Sequence, residues 1–240
     1  MKKLLVLLLP ALLILGSCNF MGGKRIRGKG EVTTETRSSL NNFTGVSTSG
    51  SFDLYVSTGP NNVKIEAEEN LLPYIETYLD GNTLRIGTKP GYWLRPTKNV
   101  KIYVSAPYFN KIHSSGSGDI AGETLITAPE KMELSVSGSA DINLEVDAPE
   151  VESDVTGSGN TSLKGDTKKF TTRISGSGNV NAFDLKSEDT EVRVTGSGDV
   201  SVFASVNLKV RVSGSGDVRY KGNPKIDSQI TGGGGVTKAD

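Results

Sequence analysis

The run Thr195-Gly-Ser-Gly-Asp199 has the residue types of a loop that cradles a phosphate or, in acidic company, a calcium ion. Counted from the first glycine of each copy, the pattern Ser/Thr-Gly-Ser-Gly-Asp/Asn recurs at Gly116, Gly138 (with Ala140 for the second glycine), Gly157, Gly176, Gly196 and Gly214, then fades into glycines from Gly232. A nucleotide loop runs from a strand into a helix and closes on Gly-Lys-Ser/Thr; here no lysine stands in place and the residues that follow alternate like a strand, so phosphate chemistry is excluded. Calcium-binding nonapeptide repeats place two loops in every coil, whereas this chain has one turn every 18 to 22 residues. The acidic column reads Asp119, Asp141, Asn160, Asn179, Asp199, Asp217 and Gly235. It gives up carboxylates in mid-row, which relieves repulsion between aligned charges and removes the ligands Ca²⁺ would need. No metal and no cofactor is expected.

Other chemistry could sit on the residues before each glycine. Three positions before it stand His113, Ser135, Asp154, Arg173, Arg193, Arg211 and Gln229, and five before it Lys111, Glu133, Glu152, Thr171, Glu191, Lys209 and Asp227. Arg173, Arg193 and Arg211 could grip an acidic glycan, and a pair of carboxylates on this face would suit polysaccharide cleavage. The competing reading is a mixed, solvated face on which each arginine lies beside a carboxylate. His113, the only histidine, has no partner at metal-ligand spacing and belongs to no arguable serine-histidine-acid set, so no catalytic residue is assigned. The segment Lys89-Pro-Gly-Tyr-Trp-Leu-Arg-Pro96 carries the only tryptophan. Tyr92, Trp93 and Arg95 are candidate binding residues on a proline-bracketed loop, or else a cap over the first coil.

The elements that must hold these residues follow from the alternation. Two, four and six residues before each glycine lie apolar or hydroxyl columns such as Val136, Val155, Ile174, Val194, Val212 and Ile230; four and six after it lie Ile120, Ile142, Thr161, Val180, Val200 and Val218, then Leu144, Leu163, Ala182, Val202 and Tyr220. A period of two on both sides of a glycine means strand, corner, strand, and no window carries the 3.6-residue period of a helix. Repeats too short to close a core alone are satisfied by coiling, each turn pairing in parallel with the next. The spacing predicts an all-β chain folded as a parallel β-helix with coils of 18 to 22 residues, right-handed by analogy with the crossover preference of parallel strands; a β-sandwich is the rival. Regular repeats are expected over 108–240. Irregular coils are expected over 31–107, with a degenerate turn at Ser49-Gly-Ser-Phe-Asp53 and an insertion, Asn70–Glu76, forming a short helix that covers the open end.

The beginning of the chain predicts its location. Lys2 and Lys3 precede an apolar run, Leu4 to Leu15, too short to span a bilayer and laid out as a secretory signal over 1–17. It ends on Leu15-Gly-Ser-Cys18, similar to a bacterial lipobox in which a lipid is attached to the cysteine thiol; Cys18 is the only cysteine. Residues 18–30, with four glycines among Lys24, Arg25, Arg27 and Lys29, are expected to be a flexible basic tether near anionic headgroups. The remaining 31–240 are expected to be one domain. It holds all 27 acidic residues and 21 of the 27 basic ones, which disfavours nucleic acid as a partner.

With these residues in place, the chain resembles the bacterial family described as "putative auto-transporter adhesin, head GIN domain", common among Bacteroidetes lipoproteins. The likeness rests on Cys18, on Phe43-Thr-Gly-Val46 and Phe52-Asp-Leu-Tyr-Val56, and on Ser175-Gly-Ser-Gly-Asn-Val-Asn-Ala182. It covers nearly all of 31–240 and implies a right-handed β-helix, a cell-envelope location and an adhesive role, with no catalytic residues to carry over. The expectation is a non-enzymatic, lipid-anchored envelope protein offering a side face to glycan or protein, its membrane face left open. Two other classes stay open: a polysaccharide-active enzyme working from Asp154, Arg173 and Arg193, and a structural or envelope-stress module whose last coil is covered by a second copy of the chain.

Overall fold

Alternating apolar residues on either side of a glycine commit each repeat to two strands, and a repeat of that size has no second layer of its own to bury them. In a computed structural model, which describes residues 23–240, the repeats coil into a β-solenoid of about six turns. The leader expected over 1–17 and Cys18 lie outside the described residues. Among the described residues the chain forms 23 strands and a single 3₁₀ turn, Leu72–Tyr74. The strands make a ten-stranded sheet, an eleven-stranded sheet and a separate two-stranded ribbon.

Each regular coil gives one strand to each large sheet. Lys131–Gly138 of the ten-stranded sheet turns into Ile142–Asp147 of the eleven-stranded sheet, and Glu150–Gly157 then begins the next coil. All pairings between successive coils are parallel, which removes the sandwich alternative. The glycines stack in register from Gly50 through Gly116, Gly138, Gly157, Gly176, Gly196 and Gly214 to Gly232. The degenerate turn at Gly50 is therefore a true member of the column.

Inward-facing columns from both sheets meet in one continuous core, with Met132, Val151 and Phe170 on one side and Ile142, Leu144 and Leu163 on the other, all at most 3% exposed. Burying each such side chain contributes about 1.5–3 kcal/mol. Two hydroxyls interrupt one column: Ser153 and Thr172, paired in register and buried, have oxygens that bond no group among the described residues. A buried hydroxyl without a partner costs about 1–3 kcal/mol. Thr172→Val, which keeps the shape, is therefore expected to raise stability by about 1 kcal/mol in urea unfolding; a loss of similar size would show that the hydroxyl is satisfied.

The return corners are filled by small buried residues, Ala128, Ala148, Thr167, Ser187 and Ala204. The sequence hides this column. Strands of the eleven-stranded sheet differ in length from coil to coil, and register shifts interrupt their pairing between Ala121 and Leu125 and between Ser162 and Lys164.

Three expectations for the N-terminal third are corrected. The coils do not stack in chain order. Gly45–Gly50 and Asp53–Thr58 lie inside, between the regular repeats and an outer coil made of Thr83–Thr88 and Lys101–Ala106. The end is then closed by antiparallel strands, Val32–Thr36 and Asn62–Glu68 on one sheet and Ile75–Asp80 on the other, which reverse the chain without needing another full coil. The expected helix over 70–76 is only the 3₁₀ turn, since Pro73 sits in its short first turn and the chain becomes extended at Ile75; its apolar residues Leu71, Leu72 and Ile75 are buried as a cover nonetheless. Lastly, Lys24–Arg27, placed in a flexible tether by its glycine-rich flanks, is a strand, because Tyr92–Arg95 offers it a parallel partner.

Candidate functional site

The outer face of the ten-stranded sheet carries the charged columns. Arg173, Arg193 and Arg211 stand one above another in register, about 4.8 Å per strand. Each has an acidic neighbour. Arg173 holds both Glu152 and Asp154, the latter at 3.2 Å; Arg193 pairs with Glu191 at 2.8 Å; Arg211 pairs with Asp227 at 2.9 Å. Lys131 adds a second cation to Glu152 at 2.5 Å, and Lys209 one to Glu191 at 3.5 Å. The Arg193 guanidinium holds the Glu191 carboxyl below its usual range, and Arg211 does the same to Asp227. Asp154 moves the other way, raised by burial against the pull of Lys131. Glu152 thus lies between Arg173 and Lys131, and Asp154, Arg173 and Arg193, the residues considered for glycan cleavage, lie on a mixed face of ion pairs.

Towards the N-terminal end the same face changes character. Gly45 lies in register between Thr83 and Lys111, and a side chain there would meet the Thr83 hydroxyl at 3.1 Å and Lys111 Cβ at 3.3 Å. These neighbours fill the space over Gly45, and Thr83 and Lys111 go on to line a groove of about 540 Å³ with Asn82, Tyr108, Asn110 and Glu133 among others. Amides, a phenol, a hydroxyl and charges of both signs give it donors and acceptors with a single aromatic surface. Sequence reasoning missed this groove because Asn82, Tyr108 and Asn110 lie just before their strands, outside the periodic columns.

His113 lies next to this groove, half-buried, with Nδ1 at 2.5 Å from Ser135 Oγ. Burial first, and then the charges of Lys111 and Arg85, push its pKa below 6.5. The unfolded chain therefore takes up a proton near pH 6.5 while the folded chain still excludes it, and stability falls as pH drops from there through the lowered folded value. His113→Gln is expected to flatten this loss between pH 7 and 5 in thermal melts; parallel pH profiles for the two proteins would refute the assignment.

The Trp93 loop is elsewhere. Tyr92–Arg95 pairs with Lys24–Arg27, in register Lys24↔Tyr92, Arg25↔Trp93, Ile26↔Leu94 and Arg27↔Arg95. One face of this ribbon turns inward: Ile26 and Leu94 pack against the core, and Tyr92 lies against Tyr74 with ring centroids 4.6 Å apart. On the other face Arg25, Arg27, Trp93 and Arg95 are all exposed, Trp93 by 59%. Of the loop candidates, then, Tyr92 caps and Trp93 and Arg95 face outward. Trp93 borders a cleft with Gly50, Phe52 and Thr88. The Gly45–Gly50 strand is four strands from that of Arg173, about 19 Å, so the structure does not bring the aromatic loop and the arginine column together.

The Asp/Asn column is occupied by its own stack. Each Oδ1 accepts the backbone N–H of the equivalent residue one coil on: Asp119 from Asp141 at 3.0 Å, Asp141 from Asn160 at 2.8 Å, Asn160 from Asn179 at 3.2 Å, Asn179 from Asp199 at 2.9 Å, Asp199 from Asp217 at 2.9 Å and Asp217 from Gly235 at 2.8 Å. Asn160 and Asn179 each add a side-chain N–H donor, to Asp141 Oδ1 at 2.9 Å and to Asn160 Oδ1 at 3.0 Å, where a carboxylate would have no proton to give and would repel its neighbour. Among the described residues no cluster of three or more His, Cys, Asp or Glu is placed to hold a metal.

The profile of the family described as "Putative auto-transporter adhesin, head GIN domain" matches residues 42–224. Among solved structures, one described as a "putative lipid binding protein" from Parabacteroides distasonis is 26% identical with a TM-score of 0.75; the alignment covers 90% of this chain and all of that one. A "putative adhesin" from Bacteroides fragilis has a TM-score of 0.83 at 21% identity, covering 89% of this chain and all of the other, and shows the shared fold. Another "putative adhesin" from Parabacteroides distasonis is 27% identical with a TM-score of 0.66, over 90% of this chain and all of that one. No curated protein matches the chain.

Proposed function

The chain belongs to the "Putative auto-transporter adhesin, head GIN domain" family, and from that premise we propose that it is a non-enzymatic, lipid-anchored cell-envelope protein whose solenoid side face makes adhesive contact with glycan. The observation that carries this reading is the polar groove beside Gly45, lined by Asn82, Tyr108, Asn110 and Lys111 where the interior strands Thr83–Thr88 and Lys111–Gly116 of the ten-stranded sheet begin. Side-chain amides and a lysine supply the hydrogen bonds that sugar hydroxyls need, and one aromatic ring supplies a face for the sugar's C–H surface. The lipobox-like Leu15–Cys18 and the lipid-binding description of one structural relative support the envelope location.

Glycan arrays probed with the chain are the test. Binding is expected, and Lys111→Ala and Tyr108→Ala should each weaken it at least tenfold, about the value of one or two lost hydrogen bonds or a stacking contact. An array without a ligand at high protein concentration, or binding indifferent to both substitutions, sinks the reading. For the anchor, Cys18→Ala is expected to move the protein from the membrane to the soluble fraction of cells.

A further inference from the structure

The ribbon formed by Lys24–Arg27 and Tyr92–Arg95 is unlike the rest of the surface. Elsewhere cations are interleaved with carboxylates, as on the arginine column. Here the two segments, 24–30 and 89–98, contain Lys24, Arg25, Arg27, Lys29, Lys89, Arg95 and Lys98 and no acidic residue. Lys98 alone of the seven makes an ion pair among the described residues, with Glu31 at 3.4 Å. In the midst of the arginines stands Trp93, the only tryptophan, with its ring against Gly23 and more than half of its surface open. A tryptophan surrounded by arginines is the chemistry of a bilayer interface, where the indole sits among headgroups and the cations meet anionic lipid.

The ribbon is also built to stay in place. Lys24 N–H donates to Gly91 O and Gly28 N–H to Arg95 O, both at 2.8 Å. Asn70 clamps the following turn, accepting from Lys29 N–H at 2.8 Å and donating to Arg27 O at 2.9 Å. Underneath, the buried Glu68 carboxylate accepts the Thr97 N–H at 3.0 Å and its hydroxyl at 2.5 Å, and lies where a side chain on Gly28 would have to be. The segment reaches the described structure at Gly23, five residues after Cys18, and five residues cannot span more than about 17 Å. A lipid on Cys18 would hold this ribbon and the end of the solenoid around it close to the headgroups.

We propose that the outward face of the ribbon, Arg25, Arg27, Trp93 and Arg95, is a membrane-docking surface that seats the N-terminal end of the solenoid on an anionic bilayer. The proposal takes its orientation from the anchor reading above, but the binding itself needs only the ribbon and an anionic surface.

The test uses the only tryptophan as the reporter. The full chain, purified from membranes with its lipid, is reconstituted into vesicles of phosphatidylcholine with 30% phosphatidylglycerol, or of phosphatidylcholine alone, each with acyl-brominated lipid as a quencher. Trp93 emission is expected to shift to the blue and be quenched in the anionic vesicles, less so in neutral ones, and to recover as salt is raised. In Arg25→Glu/Arg27→Glu/Arg95→Glu the quenching should be lost although the chain still floats with the vesicles; far-UV circular dichroism and the milder Arg→Gln triple variant check that the fold is kept. If the wild-type chain does not float at all, the anchor reading fails by itself. The same protein added to anionic vesicles then still tests the docking: the Glu variant should bind on the order of 100-fold more weakly, each arginine being worth about fivefold. An unquenched Trp93 in anionic vesicles, or quenching equal in the wild type and the Glu variant, overturns the proposal, as does protection of Trp93 only on adding an envelope protein.

Discussion

Gly176→Ala is expected to destabilise the chain by at least about 2 kcal/mol, whereas Gly233→Ala, in the last corner, should change stability by less than about 0.5 kcal/mol. Both replace a corner glycine by the smallest side chain. At Gly176 φ is +132°, and an added Cβ would lie 2.3 Å from the carbonyl oxygen of Gly157 in the coil below. That oxygen is not free to retreat, because it accepts the N–H of Ser177 at 2.9 Å and so ties one coil to the next. Gly233 has no positive φ, and its added Cβ would meet nothing nearer than Ser215 Oγ at 3.8 Å. Urea unfolding followed by circular dichroism measures the difference, and hydrogen exchange should place the damage in the neighbouring strands Glu150–Gly157, Lys169–Gly176 and Asp189–Gly196. Equal effects at the two sites would mean that the column is not held by the close approach of its backbones.

Phe170→Ala should cost about 3–5 kcal/mol, and Ile226→Ala, three coils on in the same inward column, only about 1 kcal/mol. Phe170 is 1% exposed and is among the largest fully buried side chains; Ile226 is 41% exposed. In a solenoid each coil is stabilised by its two neighbours, so deleting a side chain in mid-stack leaves a cavity that both must tolerate, while the last described coil has packing on one side only. The same unfolding experiment distinguishes them, and an Ile226 effect as large as that of Phe170 would show that the end is packed as tightly as the middle.

How much of this was legible in the sequence depended on spacing. The corner glycine, the strand before it and the strand after it recur at fixed offsets, so spacing alone puts Ile174, Val194 and Val212 in one column, and all three are buried. The return corners could not. Ala148, Thr167 and Ser187 differ in type, and bulges change their distance from the glycine. The N-terminal third was harder still, since a coil that stacks out of chain order leaves no periodic trace, and Lys24–Arg27 became a strand only because a partner 68 residues away presents a free edge. For the candidate surfaces, the arginine column was visible as a column, but whether its charges were available depended on Glu152, Glu191 and Asp227, whose side chains reach across the strands. The outer aromatic contacts of the eleven-stranded sheet, Lys186 over Phe203 at 4.5 Å and Lys221 over Phe183 at 5.0 Å, escaped notice for the same reason as the return corners.

The repeated corner that looked like a row of ligand sites is, on this structure, a hydrogen-bonded column that holds the coils in register. Thermal melting of the full chain in a chelator and in millimolar calcium decides between the two. A column whose Oδ1 atoms already accept the N–H groups of the next coil should give the same melting temperature in both, within about a degree. A saturable rise of some 5–10 °C, the shift that a ligand at a hundred times its dissociation constant would produce in a domain of this size, would show that the corners bind the ion after all.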